Sequence, residues 1–392
     1  MWCSLLLLAL FSAGAQGAVL ATNLNQGFTP LQYQCNVQKQ NIWVDVLFLI
    51  DSSNLMTKRG FNEVIEFIVS STRGIPIGQG SKQTRVGFIT YGDKATVTYD
   101  LDYWYTGESL ISKIKMDYLG STGTNMAEAI QLANKVFNSR SHRPNVPKVI
   151  VVVAAGFKKG SDSPVPAANT FKDFGGIIIT VEYLQEAGIP VPILKQIASQ
   201  GYSISNQDQY LTSDTLAIML GRANCFCPEN YVPYLYNRPE YGCFRAAKLP
   251  AERSNAERSC SMEHDGKLVK VENYDKAKFL MTILKKGDSW IGLKREGRDF
   301  IWPDNKKLQR TDFTMWYRNQ VPFTGPECMS MFEDKKLGGY FWKSHPCTMG
   351  LPYVCEIKPC STEKYCTEPL TSRRQMHRMY MAPIKQEPAK KP

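Results

Sequence analysis

The sequence of 392 residues lacks several short motifs that carry catalytic or metal-binding chemistry. Neither a Gly-x-Ser-x-Gly nucleophile turn nor a glycine-rich phosphate loop occurs. Histidine is scarce, and no two histidines have the His-x-x-x-His spacing of a metal centre; the four are His142, His264, His345 and His377. The acidic pair Glu333-Asp334 is followed by Lys335-Lys336, which is typical of a solvated turn rather than of paired catalytic carboxylates. We therefore expect a protein that is not an enzyme.

The chain has one pronounced apolar run, and it lies at the beginning. Leu5 to Phe11 are followed by the small residues of 12–18, a pattern typical of a secretory signal peptide cleaved between Ala15 and Ala18. A buried N-terminal helix is the alternative, but four consecutive leucines have no polar face. No later segment reaches the ~18 apolar residues that a membrane span needs. The prediction is a signal peptide at 1–18, no membrane span, and secretion to the extracellular space.

Cysteine usage agrees with secretion. Loss of Cys3 with the signal peptide leaves ten of the eleven cysteines, an even number that favours disulfides in an oxidising compartment.

The formal net charge is +11, and residues 371–392 hold six Lys or Arg and one Glu. We expect 359–392 to be a basic, disordered tail. Nucleic acid is a poor partner for a secreted chain; the tail is either simply solvated or faces an anionic surface.

A buried strand dominates the first half of the chain. Trp43 to Ile50 is apolar without strict alternation, which predicts a strand covered on both faces, and Asp51-Ser52-Ser53-Asn54 follows it directly. Further apolar runs at 149–153 and 177–181 predict parallel strands, and 85–92 with 95–99 predict a strand pair at the sheet edge. Helices are expected at 58–72, 125–138, 190–200 and 213–222. This order predicts a doubly wound α/β fold with a parallel sheet, whose ligands collect at the carboxyl ends of the strands.

The first half resembles a von Willebrand factor type A domain, here placed at 35–225. The resemblance implies a divalent metal site built from three loops, to which Asp51, Ser53 and Thr124 would contribute. Two further donor positions hold Leu55 and Ala155, which offer no side-chain oxygen. Because lost ligand charge weakens divalent binding steeply, we expect no firmly bound cofactor. A weak Mg or Ca site completed by water is the alternative to a role of Asp51 and Ser53 in satisfying turn amides.

The second half resembles a long-form C-type lectin-like domain, an α+β fold, placed at 227–358. The motifs are Trp290-Ile291-Gly292-Leu293, a first helix around 254–260, and a closing strand that ends in Cys355. The resemblance implies the disulfides Cys227–Cys243, Cys260–Cys355 and Cys328–Cys347. Cys35–Cys225 would then tie the ends of the first domain, and Cys360 would pair with Cys366.

Sugar binding in this family usually needs calcium held by a Glu-Pro-Asn or Gln-Pro-Asp triplet and a later Trp-Asn-Asp. The chain has neither; the second motif is replaced by Trp342-Lys343-Ser344. An ammonium group cannot act as a calcium ligand, so we expect no calcium-dependent sugar capture. The candidate ligand-contacting residues are Phe323, Glu327, Lys343 and Ser344.

As a whole, the chain resembles secreted nematode proteins that join one type A domain to one C-type lectin-like domain. The resemblance implies extracellular recognition with a role in innate immunity. Our first hypothesis is a non-catalytic protein that binds glycoconjugates or microbial surfaces without calcium. The second is a protein–protein adhesion or matrix component that acts through the type A domain.

Overall fold

The computed structural model describes residues 35–186, 188–209, 211–284 and 287–366. The predicted signal peptide and the basic residues 371–392 lie outside this part of the chain. The described residues form two units, one of 35–230 together with 359–366, and one of 231–358. No helix in the described ranges combines the length and apolarity that a membrane crossing requires.

The first unit is a six-stranded sheet with helices on both faces. The strand order is β3-β2-β1-β4-β5-β6, in which β3 alone pairs antiparallel with its neighbour. The strands are β1 Asp45–Asp51, β2 Arg85–Tyr91, β3 Ala95–Tyr99, β4 Lys148–Ala154, β5 Ile177–Glu182 and β6 Ser203–Ser205. The helices are α1 Lys58–Thr72, α2 Gly107–Lys113, α3 Met126–Phe137, α4 Val165–Asp173, α5 Ile193–Ile197 and α6 Ser213–Ala223.

Strand β1 is the centre of this unit because both of its faces are buried. Val46 and Phe48 point into one apolar layer and Leu47 and Leu49 into the other. This explains why the strand has no polar alternation. The doubly wound parallel sheet predicted from the sequence is confirmed. The helix expected at 190–200 is much shorter, since it begins only after Pro192 and ends at Ile197; proline lacks the amide hydrogen that a helix interior needs.

The second unit is an eight-stranded sheet with two helices. The strand order is β13-β12-β10-β14-β8-β7, with β11 paired to β10 and β9 to β14. The strands are β7 Val232–Tyr234, β8 Arg238–Ala251, β9 Lys267–Leu268, β10 Ser289–Glu296, β11 Asp299–Ile301, β12 Cys328–Asp334, β13 Gly339–His345 and β14 Leu351–Ile357. The helices are α7 Arg253–Ser261 and α8 Tyr274–Leu284.

A buried arginine connects the first helix of this unit to its central strand. The guanidinium of Arg253 is nearly inaccessible and donates hydrogen bonds of 2.7–3.1 Å to the backbone carbonyls of Ile291, Gly292 and Leu293. Its Nε also donates to Glu257 at 2.9 Å. A buried charge is tolerated only when it is paired and hydrogen-bonded. This contact therefore holds helix α7 against the Trp-Ile-Gly-Leu strand.

Four disulfides are resolved with their partners: Cys35–Cys225, Cys260–Cys355, Cys328–Cys347 and Cys360–Cys366. These are pairs that the family resemblance implies. Cys227 and Cys243 are each disulfide-bonded as well.

The segment 359–366 differs from the prediction of a disordered tail. It packs on the first unit, where Tyr365 contacts the ring of Trp43 at 4.6 Å and Phe226 exchanges backbone hydrogen bonds with Cys360. The hydroxyl of Thr362 donates to the carbonyl of Asn36 at 2.6 Å. Trp43 and the Cys360–Cys366 loop bury apolar surface here, which offsets the cost of ordering a polar segment.

A buried charge cluster in the second unit has one lysine and two carboxylates. Lys276 Nζ lies 2.8 Å from Glu272 Oε2 and 2.8 Å from Glu356 Oε1. Burial raises the pKa of Glu272 to about 6, against the attraction of Lys276 and with the repulsion of Glu356. Burial alone would lower the pKa of Lys276, but the two carboxylates raise it. Lys276 is therefore charged, and one carboxylate remains in excess.

Substituting Glu272→Gln tests this cluster. Because folding raises the pKa of Glu272, its contribution to stability is complete below the unfolded pKa and is lost as pH rises through about 6. Relative to the variant, the wild-type protein should lose up to about 2 kcal/mol of unfolding free energy between pH 4 and 7. Denaturant unfolding at several pH values measures this. The exposed Glu252→Gln is the control, and an equal pH dependence of wild type and Glu272→Gln would contradict the assignment.

Candidate functional site

In the first unit, the predicted metal residues gather at the carboxyl end of the sheet. Asp51 ends β1, Ser53 follows it, and Thr124 stands just before helix α3. A backbone bridge between Ser53 and Ser121 holds the second loop against the first. All three predicted residues are buried, with Asp51 and Ser53 fully inaccessible. The parallel arrangement of β1 and β4 brings the loop of Ala155 to the same edge.

Two backbone amides donate hydrogen bonds to the carboxylate of Asp51. Its Oδ1 accepts from the amide of Ser53 at 2.9 Å, and its Oδ2 accepts from the amide of Ala155 at 3.3 Å. Burial raises the pKa of Asp51, while these hydrogen bonds act in the opposite direction. The carboxylate thus joins the first and third loops directly. It serves the turn amides whether or not a cation is present.

The remaining oxygen donors are also engaged. Ser53 Oγ accepts from the amide of Leu55 at 3.2 Å, and Thr124 Oγ1 accepts from the amide of Lys158 at 2.9 Å. The side chain of Leu55 lies over Gly156, where an added Cβ would come within 2.6 Å of Leu55 Cδ1. The ammonium group of Lys158 also donates a hydrogen bond to the carbonyl of Thr122 at 3.2 Å.

This donor set does not fit a firmly held divalent metal. Magnesium requires near-octahedral oxygen coordination. The side chains of Leu55 and Ala155 have no oxygen atom, and the carboxylate of Asp51 already accepts hydrogen bonds from two backbone amides. Across the described residues, no group of three His, Cys, Asp or Glu side chains is placed to hold a metal ion.

A groove of about 1010 Å³ lies beside the loop of Asp51. Leu55 and Gly156 line one part, and Arg59, Tyr183 and Ile189 line others. The Tyr183 hydroxyl donates to Glu63, and burial together with this carboxylate raises the pKa of Tyr183 to about 12. Residue patterns alone do not reveal this groove. Its signal was the loop after β5, which the parallel fold places at the same edge as Asp51.

In the second unit, the four predicted ligand residues do not form one cluster. Phe323 is 58% exposed, and its ring lies 6.1 Å from that of Phe300. Glu327 is exposed, while its carbonyl accepts from the amide of Arg295 at 2.8 Å. Lys343 and Ser344 are consecutive on β13 and so point to opposite faces. No hydrogen bond or ring contact within the described ranges joins Phe323 or Glu327 to Lys343.

Lys343 has a defined environment of its own. Its ammonium lies 2.6 Å from Asp288 Oδ2 and 4.0 Å from the centre of the Phe332 ring. His345 Nε2 approaches the same Asp288 oxygen at 3.2 Å. Burial lowers the pKa of His345, and the charge of Lys343 lowers it further. An ion pair thus stands at the position where the family motif has a calcium-coordinating amide.

Family models identify both halves of the chain. The model for the von Willebrand factor type A domain matches residues 45–215, and that for the Lectin C-type domain matches residues 250–357. Both matches agree with the sheet topologies described above. The chain therefore consists of a von Willebrand factor type A domain followed by a C-type lectin domain.

Among individual relatives, C-type lectin domain-containing protein 160 of Caenorhabditis elegans is 26% identical over 85% of this chain and 56% of the relative. The human collagen alpha-6(VI) chain is 26% identical over 45% of this chain but 8% of the relative. The mouse von Willebrand factor A domain-containing protein 1 is 30% identical over 35% of this chain and 32% of the relative. The chain thus spans about half or less of each of these relatives.

Two solved structures are each similar to part of this chain. The C-type lectin domain of murine dendritic cell inhibitory receptor 2 covers 34% of this chain and 98% of its own, with 21% identity and a TM-score of 0.30. Proximal thread matrix protein 1 from the mussel byssus covers 48% of this chain and 47% of its own, with 20% identity and a TM-score of 0.38.

Restoring the lost oxygen donors should create a magnesium site. In the double variant Leu55→Ser with Ala155→Asp, 10 mM Mg²⁺ should raise the melting temperature by about 2–5 °C, if the restored site has a millimolar Kd. The wild-type protein should shift by less than about 1 °C under the same conditions. Differential scanning calorimetry measures both. Adding Asp51→Ala to the double variant is the control, and it should abolish the shift. A clear wild-type shift that Asp51→Ala removes would contradict our assignment.

Proposed function

We propose that this is a secreted, non-catalytic recognition protein whose lectin domain binds glycoconjugates or microbial-surface ligands without calcium. The two domain types support a recognition or adhesion role. The observation that carries the finer proposal is the ion pair of Lys343 with Asp288 at 2.6 Å. It places a positive charge where a calcium ion would need oxygen donors, and the two cations would repel each other.

Secretion is supported by the disulfides, which persist in oxidising compartments. The proposed innate immune role follows from the family resemblance and from the type of ligand proposed.

The environment of the His142–Asp45 pair in the first unit supports the proposal that the protein is not an enzyme. His142 Nδ1 lies 2.8 Å from Asp45 Oδ2, but Arg143 binds Asp45 Oδ1 through both Nε and Nη2. Burial opposes ionisation of Asp45, yet these contacts hold its pKa below the usual value. The pair lies at the amino end of β1, at the opposite end of the strand from the Asp51 loop. We assign it a structural role.

A glycan array probed with the full chain tests the proposal. Signals with 2 mM Ca²⁺ and with EDTA should agree within about twofold, because no bound calcium takes part. A calcium-dependent mannose-binding lectin, probed in parallel, should lose its signal in EDTA and so validate the chelation. Binding of mannose or galactose that disappears in EDTA would refute the proposal.

Adhesion through the type A domain is the second candidate, and the groove beside Asp51 favours it. The groove has charged walls formed by Arg59 and Glu63 and an apolar rim at Ile189, which is 80% exposed. Such a mixed surface suits a protein ligand. Ile189→Arg should reduce adhesion to films of extracellular matrix at least fivefold, whereas Phe174→Arg, exposed outside the groove, should not. Equal adhesion of both variants and wild type would exclude the groove.

A further inference from the structure

The hairpin of β12 and β13 presents a second face, opposite to the one that packs in the domain core. On the core face lie Met329, Met331 and Trp342, all fully or almost fully buried. The backbone register pairs Ser330 with Lys343 and Phe332 with Phe341. Side chains directly opposite each other in a ladder share one face of the sheet. These two pairs therefore share the face opposite to the core, which we call the hairpin face. Phe332, Phe341 and Lys343 are half-buried on this face, and Ser330 is fully covered.

Three aromatic rings make up the apolar part of the hairpin face. Tyr317, from the long loop before β12, packs against Phe332 at 5.2 Å and against Phe341 at 5.9 Å between ring centres. All three residues are half-buried. They therefore keep part of their surface open to solvent. Aromatic rings fixed by their neighbours provide contact area at little cost in conformational entropy.

Two cations lie over these rings. Lys343 Nζ is 4.0 Å from the centre of the Phe332 ring, and the Arg318 guanidinium is 5.1 Å from that of Tyr317. Arg318 has φ 51° and ψ 28°, in the left-handed region that bulky residues seldom adopt. Strained backbone of this kind tends to occur at binding sites. In this loop, the residue with the left-handed backbone, Arg318, is also the one whose guanidinium lies over the Tyr317 ring.

A buried hydroxyl lies on the same face, at the position opposite Lys343 in the ladder. Ser330 is fully inaccessible, and its Oγ has no hydrogen-bond partner among the described residues. Most buried polar groups are hydrogen-bonded, so an unsatisfied one requires an explanation. Because Ser330 faces Lys343 across the ladder, its hydroxyl is directed to the same side of the sheet as the two cations.

The nearby carboxylates leave the two cations room for an anion. Asp288 binds both Lys343 and His345, so it orients the ammonium from one side. Asp334 accepts the amides of Lys336 and Leu337 at 2.8 and 3.1 Å. It also accepts a hydrogen bond from the Tyr317 hydroxyl, so its carboxylate is engaged by the turn and by the edge of that ring. Glu333 is opposite Tyr340 and so belongs to the other face of the hairpin.

We propose that the hairpin face binds an acidic saccharide, with sugar C–H groups on the rings of Tyr317, Phe332 and Phe341 and a sulfate or carboxylate on Lys343 and Arg318. This inference rests on the proposed lectin function and specifies its ligand class and location. The flat rings suit the apolar face of a sugar ring. The charges suit an anion, which Arg can bind in a bidentate manner and Lys as a point charge.

The test measures binding of the full chain, in EDTA, to a heparin-derived octasaccharide, an oligogalacturonate and neutral maltooctaose by isothermal titration calorimetry. At least one acidic saccharide should bind at least tenfold more tightly than maltooctaose. Lys343→Gln and Tyr317→Ala should each weaken that binding at least tenfold. Lys336→Gln is the matched control, since it removes the same charge from an exposed residue of the adjacent turn, and it should change binding by less than twofold. Unchanged circular dichroism and melting temperature establish that the variants fold.

The outcomes separate this inference from the proposed function. If Lys343→Gln and Lys336→Gln weaken binding equally, the net charge of +11 attracts the anion non-specifically and the hairpin face is excluded. If only neutral saccharides bind and Lys343→Gln has no effect, calcium-independent glycan binding stands but this site and ligand class fail. If polyglutamate binds as tightly as the saccharides, the ligand class is wrong. If no saccharide binds in EDTA, both proposals fail.

Discussion

At the carboxyl end of the first unit's sheet, the arrangement of the loops depends on the carboxylate of Asp51. This carboxylate accepts amide hydrogen bonds from two loops that are far apart in sequence. A buried carboxylate without such partners would cost several kcal/mol. Here the amides of Ser53 and Ala155 provide that stabilisation. Leu55 and Ala155 supply no side-chain oxygen at this edge, and the hydrogen bonds to Asp51 join the first and third loops directly.

The lectin domain shows a corresponding substitution of one kind of polar contact for another. Where relatives would use a calcium ion between loop and strand, this chain places an ion pair between Lys343 and Asp288. The strand positions themselves are maintained elsewhere, by the Arg253 guanidinium on the carbonyls of β10 and by the Cys260–Cys355 and Cys328–Cys347 disulfides. The residues that hold the strands in place are therefore different from the predicted ligand residues Phe323, Glu327, Lys343 and Ser344.

Some elements could be predicted from residue patterns and others could not. The fully apolar β1 and the helix Lys58–Thr72 have strong local signals, and both are present. Strand β6 has three residues and helix α2 has seven, so neither has enough sequence for a clear period. The proline-flanked α5 is shorter than expected because prolines at 190 and 192 delay its start. The charge and prolines of 371–392 predict a disordered tail, but they do not reveal that 359–366 packs on Trp43 and Phe226.

By itself, the sequence determined which side chains can act: it showed the apolar β1, the cysteines, and the absence of oxygen donors at Leu55, Ala155 and Lys343. Those conclusions follow from residue identity, and no fold can supply an oxygen atom that the chain lacks. The tertiary structure alone decided which residues meet. The groove beside Asp51 and the alignment of Tyr317, Arg318, Phe332 and Lys343 join residues from separate loops and strands. Such proximity arises from strand register and long-range packing, which local sequence patterns do not encode.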